Sequence, residues 1–125
     1  MACGTFDVKV LPIEPHDPDT GMGRFAIAKV FHGDIDGTGS GEMLSGGDPR
    51  GSGAYVAIER VTGTLEGREG SFMLMHRGVM RDQVPTLEIA VVPGSGTGEL
   101  AGISGTFTLT IADGVHRWTF EYTLP

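Results

Sequence analysis

The 125-residue chain reads as an all-β protein, an eight-stranded antiparallel meander β-barrel. Three observations predict this. Short runs of β-branched, aliphatic and aromatic residues alternate with polar ones, the period of a half-buried strand. Gly, Pro and Asp punctuate the runs, and Gly alone supplies 21 residues. No segment carries the apolar stripe of an amphipathic helix. About eight strands with one apolar face each must close into a barrel or split into a sandwich. Short turns between successive strands make the antiparallel meander the simplest arrangement.

The elements follow in order. Thr5 to Pro12 is the first expected strand, and His16 to Gly23 (HDPDTGMG) is a loop. Arg24 to Phe31 is the second strand, with FAIAKVF at its heart. Asp34 to Gly37 is an expected turn, and Thr38 to Leu44 a glycine-rich third strand. Gly37, Gly39 and Gly41 fall on one of its faces, a bare surface that permits sharp coiling or close approach by another group. Gly46 to Gly53 is a loop, and Ala54 to Glu66 pairs with Ser71 to Arg81 around the turn Gly67-Arg68-Glu69-Gly70. Thr86 to Val92 alternates, with Leu87, Ile89 and Val91 on one side. Gly94 to Gly105 is a glycine loop before Thr106 to Ile111. Asp113-Gly114 is a favoured hairpin turn, and Arg117 to Leu124 closes the chain with Trp118, Phe120 and Tyr122 on one face.

Length and composition set limits. The chain is long enough for one domain and one core, spanning 1–125. A net charge of -7 and a pI near 4.9 oppose binding to phosphate backbones and to anionic membranes. No apolar run approaches the roughly 20 residues that span a bilayer. The opening MACGTFDVKV shows no basic segment followed by an apolar one, and Cys3 has no partner for an internal disulfide. Both features lead to an expected cytoplasmic location. The histidines at 16, 32, 76 and 116 lack metal-binding spacing. Asp34-Ile-Asp36-Gly-Thr38 opens like a calcium loop, but Ser45 stands where the bidentate glutamate belongs. Gly96-x-Gly98 is followed by no helix that could receive a pyrophosphate. No metal and no cofactor are expected.

The long hairpin carries the candidate site. With Gly67 opposite Gly70, Leu65 faces Phe72, Val61 faces His76 and Glu59 faces Gly78. Alternation then puts Tyr55, Ala57, Glu59, Val61, Leu65, Phe72, Leu74, His76, Gly78 and Met80 on one mostly apolar face. Glu59 and His76 are diagonal neighbours on it, within mutual reach. Two ionisable groups on an apolar face are costly unless paired or used. They read either as a general acid–base pair in a cavity or as a buried pair that fixes register. Tyr55, Phe72, Leu74, Met80 and Trp118 are the expected cavity lining. Glu42 is a further ligand-binding candidate, although its face of the third strand also reads as solvent surface.

Several ordered blocks, YVAIERVTGTLEGREGSF, FHGDIDGTGSGEML and VVPGSGTGELAGISGTF, resemble the DUF3224 family of small bacterial proteins of unknown function. The family is similar in fold to the allene oxide cyclase-like barrel, shared with dirigent proteins. The GTGELAGISG segment looks like the glycine turn between late strands of those barrels. The resemblance implies an apolar ligand held in the barrel, chemistry without a cofactor, and a homo-oligomer. Two functions stay open at this point. One is a barrel that binds a small apolar or aromatic molecule inside, as an isomerase or cyclase using Glu59 and His76. The other is a filled barrel serving as a carrier or interaction module, with Val56, Ile58, Met73 and Met75 as its working surface.

Overall fold

The computed structural model describes residues 1–13, 21–48 and 50–125. Most of the expected His16 to Gly23 loop, His16 included, and Pro49 of the Gly46 to Gly53 loop lie outside the described residues. The strands are β1 (Ala2–Pro12), β2 (Met22–Gly33), β3 (Ile35–Gly47), β4 (Gly53–Leu65) and β5 (Arg68–Arg81). They continue with β6 (Val84–Val91), β7 (Thr97–Gly98), β8 (Ser104–Ala112) and β9 (Val115–Thr123). The sheet order is β4-β3-β2-β1-β9-β8-β6-β5, and β4 also pairs with β5. That last pairing closes the ring. Every neighbour is antiparallel, so the architecture is a closed eight-stranded meander barrel. The two-residue β7 adds to β5 at Gly70 and Ser71.

Two local expectations need correction. Of the expected turn from Asp34 to Gly37, only Asp34 lies in the bend, and Ile35 to Gly37 are strand, because Ile35 is buried and opens β3. The chain reverses just before it, where Gly33 takes a φ of 113°. In the central hairpin Leu65 pairs with Arg68, so the turn is Glu66-Gly67 and not the four residues Gly67 to Gly70. Both turn residues are left-handed, with φ of 48° and 85°. This is the two-residue geometry whose twist matches that of the flanking strands. Glu59 therefore faces Leu74, and His76 faces Ala57. The displacement is an even number of residues, so every side chain keeps the face that alternation gave it. Asp113-Gly114 forms the expected turn of the same kind, at φ 53° and 74°.

The barrel has two unlike ends. Near the Glu66-Gly67 turn the interior is packed with Phe31, Ile35, Val61, Leu65, Phe72, Phe107, Trp118 and Phe120. Phe120 stacks on Phe107 at 4.2 Å and on Phe72 at 5.6 Å between ring centroids. Leu100 and Ile103, from the segment after β7, join this cluster. Burying each such side chain contributes about 1.5–3 kcal/mol. At the other end, near the Asp82-Gln83 and Asp113-Gly114 turns, inward-register residues reach solvent: Val10, Met80, Leu87 and Ile111 are exposed.

Candidate functional site

The bare face of β3 makes room for a carboxylate. Gly41 pairs with Glu59, and a Cβ at Gly41 would collide with the Ile58 carbonyl oxygen and with the Glu59 side chain. A Cβ at Gly39 would stand 2.8 Å from Glu59 Oε2 and 3.0 Å from Phe31. The glycines thus let β3 lie against Glu59, as close backbone approach requires.

Glu59 is fully enclosed. Lys29 Nζ donates to Glu59 Oε1 at 2.8 Å, and His76 Nε2 lies 2.6 Å from the same oxygen. The side chains of Lys29, Glu59 and His76 are 8%, 0% and 6% exposed. Lys29 also lies over the Phe6 ring, 4.4 Å from its centroid, which adds a cation–π contact. Glu59 Oε2 is buried with no hydrogen-bond partner. Burial pushes the Glu59 carboxyl pKa up, but the His76 hydrogen bond and the Lys29 charge together outweigh it and hold the pKa below its ordinary value. Glu59 is therefore a carboxylate at neutral pH, held between a cation and an imidazole N–H.

Two inner positions nearer the rim on β4 stands Tyr55. Its ring lies flat on Gly78, where any Cβ would run into it. Burial and the negative charge of Glu59 raise the pKa of its phenol, which stays protonated. Around this ring opens a pocket of about 300 Å³, whose walls include Met43, Tyr55, Gly78, Met80 and Leu87. A larger groove of about 940 Å³ runs over the outer face of β3, β4, β5 and β6. Leu44, Val56, Ile58 and Met75 are its exposed apolar floor. Arg24 and Glu42 bridge at 2.6 Å on one side of it, and Arg77 and Glu88 approach to 3.9 Å on the other.

The expected residues therefore divide. Glu59 and His76 are joined by a hydrogen bond. Tyr55 and Met80 line the pocket at the mouth. Phe72, Leu74 and Trp118 are packed into the core at 1%, 2% and 1% exposure. Trp118 Nε1 donates to the Thr5 carbonyl, so its polar end is already used. Glu42 points outward, is exposed and pairs with Arg24. Lys29 is the member that sequence reasoning missed. Its signal was present in FAIAKVF, where alternation puts Ile27, Lys29 and Phe31 on one face, and all three are buried. Among the described residues no three His, Cys, Asp or Glu side chains group to hold a metal ion. No helix among them is long and apolar enough to cross a membrane.

Fold and site together define a closed antiparallel meander barrel with a buried ionic cluster, Lys29, Glu59 and His76, in a mostly apolar interior. The family model for DUF3224, a protein of unknown function, matches residues 2–122, and the chain belongs to that family. The chain is similar to a protein of unknown function from the DUF3224 family of Shewanella oneidensis MR-1, known from a crystal structure. The two share 43% identity over 98% of this chain and 95% of that one, with a TM-score of 0.91. No curated protein matches the chain.

Proposed function

We propose that this barrel binds a small apolar or aromatic molecule in its mouth, against Tyr55 and Met80, with the Lys29–Glu59–His76 cluster set deeper inside. The observation that carries the reading is the cluster itself. Three ionisable side chains in an apolar interior cost several kcal/mol to desolvate, and apolar residues of similar volume would serve stability as well or better. Tyr55 links the cluster to the apolar pocket of about 300 Å³, since it lines that pocket and its phenol feels the charge of Glu59, and this supports a binding or catalytic site. In a cofactor-independent isomerase or cyclase, His76 and Glu59 would exchange a proton with the bound molecule while the pocket fixed its shape. The likeness of GTGELAGISG to the allene oxide cyclase-like barrels supports the same direction.

The probe that tests this is 4-methylphenol, titrated while backbone amide NMR shifts are followed. Changes centred on Met43, Tyr55, Gly78 and Met80, and lost in Tyr55→Ala, are expected. Changes confined to Leu44, Val56, Ile58 and Met75 would overturn the reading in favour of a second one. In that second reading the outer groove is the working surface of a carrier or homo-oligomeric module. It is favoured by Val56, Ile58 and Met75, which expose 54%, 55% and 45% of their surface on one face.

A further inference from the structure

The mouth pocket holds two hydroxyls that the fold itself does not use. Apolar side chains and backbone make up most of its lining, Met43, Met80 and Leu87 among them, and among the described residues no charged side chain belongs to it. Its polar side chains are Ser45, Tyr55 and Thr86. Thr86 Oγ1 donates to the Val79 carbonyl at 3.4 Å. Among the described residues the Ser45 and Tyr55 hydroxyls have no hydrogen-bond partner. Neither is sealed from solvent, since the fully buried side-chain polar atom without a partner is Glu59 Oε2. Ser45 and Tyr55 are direct partners across β3 and β4. Such a pair shares one face, with Cβ atoms about 5 Å apart. The Tyr55 ring is seated on Gly78, where a Cβ would collide with it, so its hydroxyl has a fixed place.

These features select a ligand by its charge and by its polar group. Burial and the charge of Glu59 raise the pKa of the Tyr55 phenol, so it keeps its proton and can donate. An anion would leave water for a lining without a cation, at a place where the phenol already feels Glu59. A cation would meet no carboxylate in that lining. A plain hydrocarbon would strip water from both hydroxyls and return no hydrogen bond. A carbonyl oxygen is uncharged and carries two lone pairs, enough to accept from both.

We propose that the mouth selects an uncharged ketone or aldehyde with an aromatic or apolar body. Its carbonyl oxygen accepts from Tyr55 and Ser45, and its hydrocarbon part lies against Met43, Met80 and Leu87. This rests on the mouth-binding reading above and adds the polar group that the ligand carries. The test titrates the full chain with 4-methylacetophenone, with its hydrocarbon counterpart 4-isopropyltoluene and with 4-methylbenzoate, followed by backbone amide NMR. The ketone should bind about tenfold or more tightly than either of the others. Tyr55→Phe keeps the ring over Gly78 and removes the hydroxyl alone. Tyr55→Phe and Ser45→Ala should each weaken the ketone about threefold to tenfold and leave the hydrocarbon within about twofold. Equal affinity for ketone and hydrocarbon, tighter binding of the benzoate, or unchanged ketone affinity in either variant would overturn the proposal. If any of these outcomes comes with shifts centred on Met43, Tyr55, Gly78 and Met80, this proposal fails and mouth binding stands. If none of the three probes nor 4-methylphenol shifts those residues, both fail.

Discussion

At the scale of single residues, the chemistry turns on one carboxylate serving two donors. Replacing Glu59 with Gln leaves Lys29 as a buried cation without its counter-charge. The expected cost is about 3–5 kcal/mol, read as a shift in the urea midpoint. Removing both partners together, as Lys29→Met with Glu59→Leu, should recover most of that loss, since a well-packed apolar pair often equals a buried ion pair. The same carboxylate gives stability a pH dependence. Its pKa is held below the ordinary value in the folded barrel by His76 and Lys29, with Tyr55 the other titratable side chain coupled to it. As pH falls through and below the usual glutamate range, the unfolded chain takes up a proton that the folded chain resists, so the contribution is lost toward acid. Denaturant titrations from neutral to acid pH should show a shallower decline in Glu59→Gln than in the parent. The pairing of Glu59 with His76 was legible in the sequence because alternation alone decides the face. Lys29 is harder to read, because lysine ordinarily keeps its charge in water, and only its place between Ile27 and Phe31 on one face marks it as inward.

At the scale of elements, turn chemistry fixes where each strand begins and ends. The central hairpin shows what alternation leaves open. Its faces follow from period two, but its register follows from which two residues adopt left-handed backbone. The segment TLEGREG reads in sequence as turning through Arg68-Glu69, but turning through Glu66-Gly67 puts glycine at a left-handed position. Gly67 has nothing within 4 Å of where a Cβ would sit. Gly67→Ala therefore isolates the backbone term, with an expected cost of about 1–2 kcal/mol in thermal or chemical unfolding and no change in the packed interior. The bare face of β3 could be read directly from the spacing of Gly37, Gly39 and Gly41. What that face accommodates could not, because it depends on a pairing partner far along the chain, Glu59 on β4.

At the scale of the whole molecule, the closed meander was legible because its turns are short and its strands number eight in the ring. The division of the interior into a packed end and an open end was not, since Tyr55, Phe72 and Trp118 look alike as apolar-face residues in sequence. The difference appears only when the segment from Thr97 to Ile103 packs into one end, while Val10, Met80, Leu87 and Ile111 stay exposed at the other. Phe120→Ala, in the packed half, should cost about 3–5 kcal/mol. Tyr55→Ala, in the half-buried mouth, should cost clearly less, and denaturant midpoints of the two variants compare them directly. That asymmetry has an evolutionary corollary. A scaffold that draws its rigidity from one half can let the other half drift. Randomising Met43, Met80 and Leu87 should leave the chain's ability to fold largely intact, so relatives sharing this barrel are free to diverge at its mouth while looking alike in outline.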